Sequence, residues 1–229
     1  MSSEKTATEV QQAYIEAMGS ELGDLFFRLS NECVWLHWKW EEFVALFGTN
    51  LQRIELLNKS AGAFFRIVQD TLWESVLLHI ARFMDSLQSI GKDNLCLPRL
   101  VSLVSAPVRA DVQKGVEECQ AKCEFARDWR NRRIAHRDLA LALRDRSAVR
   151  LKLANEEIVE EALESIAAVL NTVQRHYQGS TIIYRVEPPG NTRSLLHLLQ
   201  AGLQWEEDRH KRLRSGMFTP EDLKRLPPI

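Results

Sequence analysis

The segment from Asp128 to Asp138, D-W-R-N-R-R-I-A-H-R-D, gathers the residues best suited to chemistry. Histidine has an ordinary pKa of about 6.5, so it takes and returns protons at neutral pH, whereas arginine stays charged and presents a planar fork that fits phosphate oxygens. Together they suit cleavage of a phosphodiester. His136 is a candidate general base for a ribose 2′-hydroxyl, a role worth about 10²–10⁴-fold in rate. Arg130 would hold the phosphate and stabilise the negative charge of the transition state. Asn131 can both donate and accept, and would orient the nucleotide or the imidazole. Arg127, Arg132, Arg133 and Arg137 surround these three as candidate contacts to an RNA backbone.

Spacing sets a condition on this site. Six positions on an ideal α-helix leave Arg130 and His136 about 120° apart around the axis. Either the helix changes course between them or a second chain completes the site. A homodimer meets the second condition, because an isologous interface brings the same patch together twice, and one histidine can then serve as base while its twin serves as acid. On an upstream helix Arg82 and Asp85 stand three apart. They are either a surface pair or, if that helix faces the dimer seam, a second layer supporting Arg130 and His136.

Composition narrows the partners. The 229 residues, 45% of them hydrophobic, suffice for one sizeable domain with appendages. Thirty Lys and Arg balance 31 Asp and Glu, so net charge alone says nothing about nucleic acid. Distribution says more: from Arg127 to Lys152 there are nine cationic residues against Asp128, Asp138 and Asp145. Such a local positive field is what a phosphate-binding face needs, although a solvated, salt-bridged surface would read the same way. No apolar run reaches the roughly 18 residues of a membrane span, and the N-terminus, M-S-S-E-K-T-A-T-E-V, holds no apolar signal core. No membrane partner and a cytoplasmic location are expected. Cys33, Cys96, Cys119 and Cys123 fit no disulfide framework; Cys119 and Cys123 share a helix face and read as buried thiols rather than a metal pair. The chain lacks a glycine-rich phosphate loop, H-E-x-x-H and paired E-x-x-H elements, so neither metal nor cofactor is expected.

The elements that must position the motif are helical. Residues 1–22 read as a polar segment or loosely attached helix interrupted by Gly19 and Gly23. Residues 22–178 read as an antiparallel helical bundle, and residues 179–229 as an extended crossing followed by a helical extension. From Asp24, Phe26, Leu29, Cys33, Leu36, Trp40 and Phe43 recur at three and four, with Gly48 as C-cap. Trp35 and Trp38 fall partly off that stripe and predict an additional packing surface or dimer contact. A second long stretch, Leu51–Leu87, is expected to break near Ser60-Ala61-Gly62, and His79 beside its stripe reads as packed rather than catalytic. Ser89–Asn94 is a turn, Pro98 starts a short helix, and Pro107 opens the long helix that runs into the motif. Leu139–Ala154 is ambiguous, with L-A-L-A-L helical and V-R-L-K-L alternating like a strand. Asn155 caps an amphipathic helix that Gly179 stops. T-I-I-Y-R-V at Thr181–Val186 is strand-like but has no partner strand, so an extended crossing or partner edge is expected. A Pro188-Pro189-Gly190 turn, a helix starting at Asn191 and closed by Gly216, a Thr219–Asp222 cap and a stop at Pro227-Pro228 complete the chain.

R-N-R-R-I-A-H resembles the R-polar-x(3–5)-H signature of the HEPN superfamily. L-H-W-K-W-E-E-F-V-A-L-F-G at Leu36–Gly48 and V-L-L-H-I-A-R-F-M-D at Val76–Asp85 are similar to the first and second helices of its abortive-infection U-type (AbiU-like) branch, so the resemblance covers most of Leu22–Tyr177. It implies an all-α HEPN-type bundle and a metal-independent endoribonuclease of a bacterial toxin or antiphage system. Arg130 and His136 match the family's catalytic pair, and Asn131 matches the polar position after the arginine. RNA as substrate, a homodimer and an antitoxin or regulatory protein follow as expected partners. Some members carry a tyrosine two residues beyond the histidine, where a nucleotidyltransferase modifies it; Asp138 stands there in this chain. The alternative is a non-catalytic helical RNA-binding or protein-interaction module, in which Arg130 and Asn131 pair structurally and His136 caps its helix.

Overall fold

The computed structural model describes residues 6–187 and 192–224. It is an all-α helical bundle. In chain order the helices are α1 (Ala7–Met18), α2 (Ser20–Phe47), α3 (Leu51–Phe83), α4 (Pro98–Leu103), α5 (Ala106–Trp129), α6 (Leu139–Ala142), α7 (Glu156–Gln178) and α8 (Thr192–Ser215). A two-residue hairpin, β1 (Gln88–Ser89) with β2 (Lys92–Asp93), follows α3 and turns through Ile90 and Gly91, both at positive φ. The chain folds as two compact units, Met1–Glu41 with Thr71–Val186, and Glu42–Asp70 with Glu187–Ile229. This division cuts across the sequential one expected from composition. The Pro188-Pro189-Gly190 turn, Asn191 and Pro227-Pro228 lie outside the described residues.

The first unit holds the motif. Its core is built from Phe26, Leu29, Cys33, Leu36 and Trp40 of α2, Val76, Leu77 and Ile80 of α3, and the facing stripes of α5 and α7. Helices α5 and α7 form its most extensive helix pair. Small residues let them approach: a side chain at Gly115 would reach Val169 Cγ2 at 3.3 Å, and Ser165 Oγ lies 3.3 Å from Cys119 Sγ. Cys119 and Cys123 are buried thiols, 3.8 Å apart, within this seam. Helix α7 has the ends its sequence announces, with Asn155 Oδ1 accepting from the Ile158 N–H at 2.9 Å and Gly179 left-handed at the C-cap.

The N-terminal segment is more firmly held than its polarity suggests. Thr6 and Glu9 close a capping box on α1, and Tyr14 is buried edge-on against Phe26, with ring centroids 5.0 Å apart. Gly19 ends α1 at φ 85°, but Gly23 interrupts nothing. It lies inside α2 because a Cβ there would stand 2.6 Å from the backbone of Ile15. The strand-like run Thr181–Val186 is an extended crossing. Asn171 takes the place of a neighbouring strand, accepting from the Ile182 N–H at 2.7 Å and donating to its carbonyl at 3.1 Å. Tyr184 is buried with its hydroxyl 3.0 Å from Ser30 Oγ, and Arg185 bridges Glu41 and Glu160.

The second unit contains the end of α2, α3 as far as Asp70, and α8. Helix α3 is broken at Ala61 (φ −162°, ψ 65°), within the expected Ser60-Ala61-Gly62. Arg53 donates to the Val44 and Ala45 carbonyls, satisfying the end of α2. A 3₁₀ turn, Pro220–Leu223, is tied to α8 by Arg212, which donates twice to the buried Asp222 carboxylate at 3.0 and 2.6 Å.

His79, on the part of α3 in the first unit, is packed as expected, 4% exposed and stacked on Phe83. Burial, aided by the Lys39 ammonium, lowers its pKa to about 4. Glu32 Oε2 stands 2.7 Å from Nε2, though poorly aligned with it, and its opposing pull is outweighed by burial. The folded protein therefore takes up this proton later than the unfolded chain on acidification. Stability should be complete above pH about 6.5 and fall toward pH 4 by up to about 3 kcal/mol, a component that His79→Gln removes; urea denaturation at pH 7 and 4.5 measures it. Gly23→Ala should cost about 1–3 kcal/mol in the same assay at pH 7, because backbone rather than a flexible side chain must move.

Candidate active site at the end of α5

Three tryptophans carry the rigidity of the core to the motif. Trp40 of α2 contacts Trp73 of α3 at 6.3 Å between ring centroids, and Trp73 meets Trp129, the last residue of α5, edge-on at 6.3 Å. Beyond Trp129 the α-helical spacing stops. Arg130–Ile134 form one π-helical turn, in which the Ala135 N–H donates to the Arg130 carbonyl at 2.8 Å. The extra residue per turn changes the backbone register between Arg130 and His136. Such insertions occur mostly as single turns and often at functional sites.

Arg130 is half-buried and doubly held. Its Nη1 donates to Asp85 and its Nε to Asn131 Oδ1 at 3.1 Å. Asp85 follows the C-terminus of α3, so the expected second layer reaches the motif through this carboxylate. Arg82, one turn earlier, is exposed and has no ion pair among the described residues. His136 lies past the π-turn, exposed, with no hydrogen bond or ion pair to any described residue. Its imidazole is open to a ligand or to a second chain.

The arginines divide into two groups. Arg132, expected among the phosphate contacts, is committed to the protein. Its Nε donates to Asp138 at 3.2 Å and its Nη1 to Asp128 at 3.4 Å, while Nη2 and Nη1 reach the Val149 and Arg150 carbonyls. A forked five-donor cation suits this task, because one side chain can satisfy several acceptors of a loop that has no ladder of its own. Trp129 Nε1 donates to the Lys152 carbonyl at 2.9 Å, and the Lys152 N–H donates to Asp128 Oδ2 at 2.9 Å. The segment Arg144–Lys152 is therefore a docked loop, neither helix nor strand, and only Leu139–Ala142 of L-A-L-A-L is helical. Asp138 caps that short helix by accepting from the Leu141 N–H, and this bond with the Arg132 cation holds its carboxyl below the usual range. Asp128 and Trp129 were legible only as helix residues; nothing local marks them as anchors for a loop more than 20 positions on.

Arg127, Arg133 and Arg137 remain exposed without a carboxylate partner among the described residues, as do Arg144, Arg146 and Arg150 of the docked loop. Arg133 lies over the Trp129 ring at 5.4 Å, which orients its guanidinium without neutralising it. The end of α5 thus presents a cationic surface around one fixed arginine and one open histidine.

The architecture and the arginine–histidine motif belong together in one class, the HEPN helical bundles. The family model AbiU2 of that class matches residues 19–210, most of the chain, and the protein belongs to the AbiU2 family of HEPN proteins. The match takes in most of α8, beyond Tyr177 where the resemblance read from the sequence ended. No curated protein and no solved structure gives a significant match. No helix among the described residues is long and apolar enough to cross a membrane.

If Arg132 is the clamp of the loop, Arg132→Gln should accelerate amide exchange at Val149–Lys152 by about tenfold or more, the loss of roughly 1.4 kcal/mol of local stability, while leaving α7 protected. Hydrogen–deuterium exchange resolved by peptide checks this.

Proposed function

We propose that the protein is a metal-independent endoribonuclease of a bacterial toxin or antiphage, abortive-infection system. The observation that carries this reading is the π-turn. It holds Arg130 in place through Asp85 and leaves His136 open, inside a patch of unpaired arginines.

In the reaction, His136 takes the proton of a ribose 2′-hydroxyl and the 2′-oxygen attacks the adjacent phosphorus. The bond to the 5′-oxygen breaks, and this leaving group takes a proton from the matching histidine of a second copy, giving a 2′,3′-cyclic phosphate and a 5′-hydroxyl. Arg130 neutralises the charge that accumulates on the phosphate oxygens, and Asn131 orients its guanidinium or the nucleotide. Arg127, Arg133 and Arg137 bind neighbouring phosphates, and Arg132 acts indirectly by holding the loop that carries Arg144, Arg146 and Arg150. The homodimer supplies the second histidine, and an antitoxin or regulatory protein restrains the activity in its own cell.

A second reading has its own support. Arg130 already has a carboxylate and an amide partner, as expected of a structural arginine in a non-catalytic RNA-binding or protein-interaction module.

Incubation of the protein with mixed RNA in chelator decides between them. Wild type should leave 2′,3′-cyclic phosphate ends, and His136→Ala and Arg130→Ala should each lower the rate by about 10²-fold or more. Equal cleavage by wild type and His136→Ala would sink the catalytic reading. RNA binding that weakens steeply with salt, without cleavage, would favour the binding module.

A further inference from the structure

A cavity of about 230 Å³ opens between α2, the end of α3 and Leu95. Leu29, Phe83 and Leu95 give it apolar walls, and Glu32, His79 and Arg82 supply its polar groups. His79 Nδ1 lies 3.4 Å from Lys39 Nζ. An ammonium can only donate, so Nδ1 is the acceptor and the neutral ring carries its proton on Nε2. That Nε2 is buried, on a side chain 4% exposed, and Glu32 Oε2, 2.7 Å away, is poorly aligned with its N–H. A buried donor without a well-aligned acceptor costs stability, and a ligand that completes it accounts for its retention. The Glu32 carboxylate stands beside it, 43% exposed, with lone pairs to spare. Arg82, which lines the cavity, is exposed and has no carboxylate within ion-pair distance among the described residues.

One donor and one acceptor side by side, between apolar walls and beside the unpaired Arg82 cation, match the edge, the face and the phosphate of a nucleotide. We propose that this cavity is a nucleobase subsite, taking one base of the RNA next to the phosphate held by Arg130. Position supports the link: the Asp85 N–H donates to the Arg82 carbonyl at 3.2 Å, so the cation at the rim stands one backbone turn from the carboxylate that holds Arg130. The His79 N–H donates to a ring nitrogen or carbonyl of the base, Glu32 accepts from its N–H, and Arg82 holds the phosphate. Only the source of the base, an RNA strand, rests on the ribonuclease reading.

The test is a chemical-shift titration of the full chain carrying His136→Ala with AMP, GMP, CMP, UMP, uridine and ribose 5-phosphate. At least one nucleotide should bind about tenfold more tightly than ribose 5-phosphate, and Glu32→Gln should weaken that nucleotide by about tenfold, the loss of one charge-assisted hydrogen bond. Arg82→Ala should weaken the nucleotide but leave uridine unchanged. Leu95→Trp, at a partly exposed wall position, should block binding without touching a polar group, and covers the case in which Glu32→Gln fails to fold. Ribose 5-phosphate binding as well as every nucleotide, indifference to both Glu32→Gln and Leu95→Trp, or no binding at millimolar concentration would overturn the proposal. A nucleotide bound at Glu32 that a short RNA does not displace would overturn its RNA source and make the cavity a site for free nucleotides. Selective binding that RNA displaces, in a protein that cleaves nothing, supports the subsite and removes the catalytic reading alone.

Discussion

The hydrogen bond from Ala135 back to the carbonyl of Arg130 governs the whole basic end of this protein. It closes one turn over five residues instead of four, so the side chains from Arg130 to His136 leave the register of α5 at the point where the motif begins. The inserted residue is tolerated because both sides of the turn are anchored elsewhere: Trp129 is fixed against Trp73, and Arg132 is tied to Asp128, Asp138 and the loop carbonyls. Irregular backbone of this kind persists only where surrounding contacts over-determine it.

The same contacts sort the charges. A run of arginines in one segment would be self-repelling if all its members stood in solvent together. Here Arg130 and Arg132 are paired with carboxylates, Arg133 is laid on an indole, and the rest remain free. Pairing makes an arginine rigid, and freedom makes it available. A phosphate-cleaving site needs both, one fork held where charge develops and several cations that gather the polyanion.

Much of the fold could be read locally because its causes are local. Asn155 and Gly179 bound α7 through bonds to residues three and four positions away, and the break at Ala61 falls among three residues that resist continuous helix. The apolar stripes of α2, α5 and α7 are periodic for the same reason that they are buried. Where the reading failed or stayed open, the deciding partner was distant. Gly23 looked like an interruption because its constraint is the backbone of Ile15 on another helix. Thr181–Val186 read as an extended crossing or a partner edge, and the crossing is fixed by the side chain of Asn171, which bonds both backbone groups of Ile182. The alternation of V-R-L-K-L gave no hint that Asp128, Trp129 and Arg132 would hold its backbone.

By itself, the sequence determined the class of the fold, the order of its long helices, and the identity of the arginine, amide and histidine that make the motif, since these depend on residue type and short-range period. Tertiary structure alone decided which arginine is fixed and which are free, that Asp85 rather than Arg82 reaches the motif, and that His79 keeps a buried donor beside a cavity. Those outcomes are set by pairings between residues distant in the chain, 45 positions apart for Arg130 with Asp85, and no local spacing records which of several carboxylates a given cation will meet.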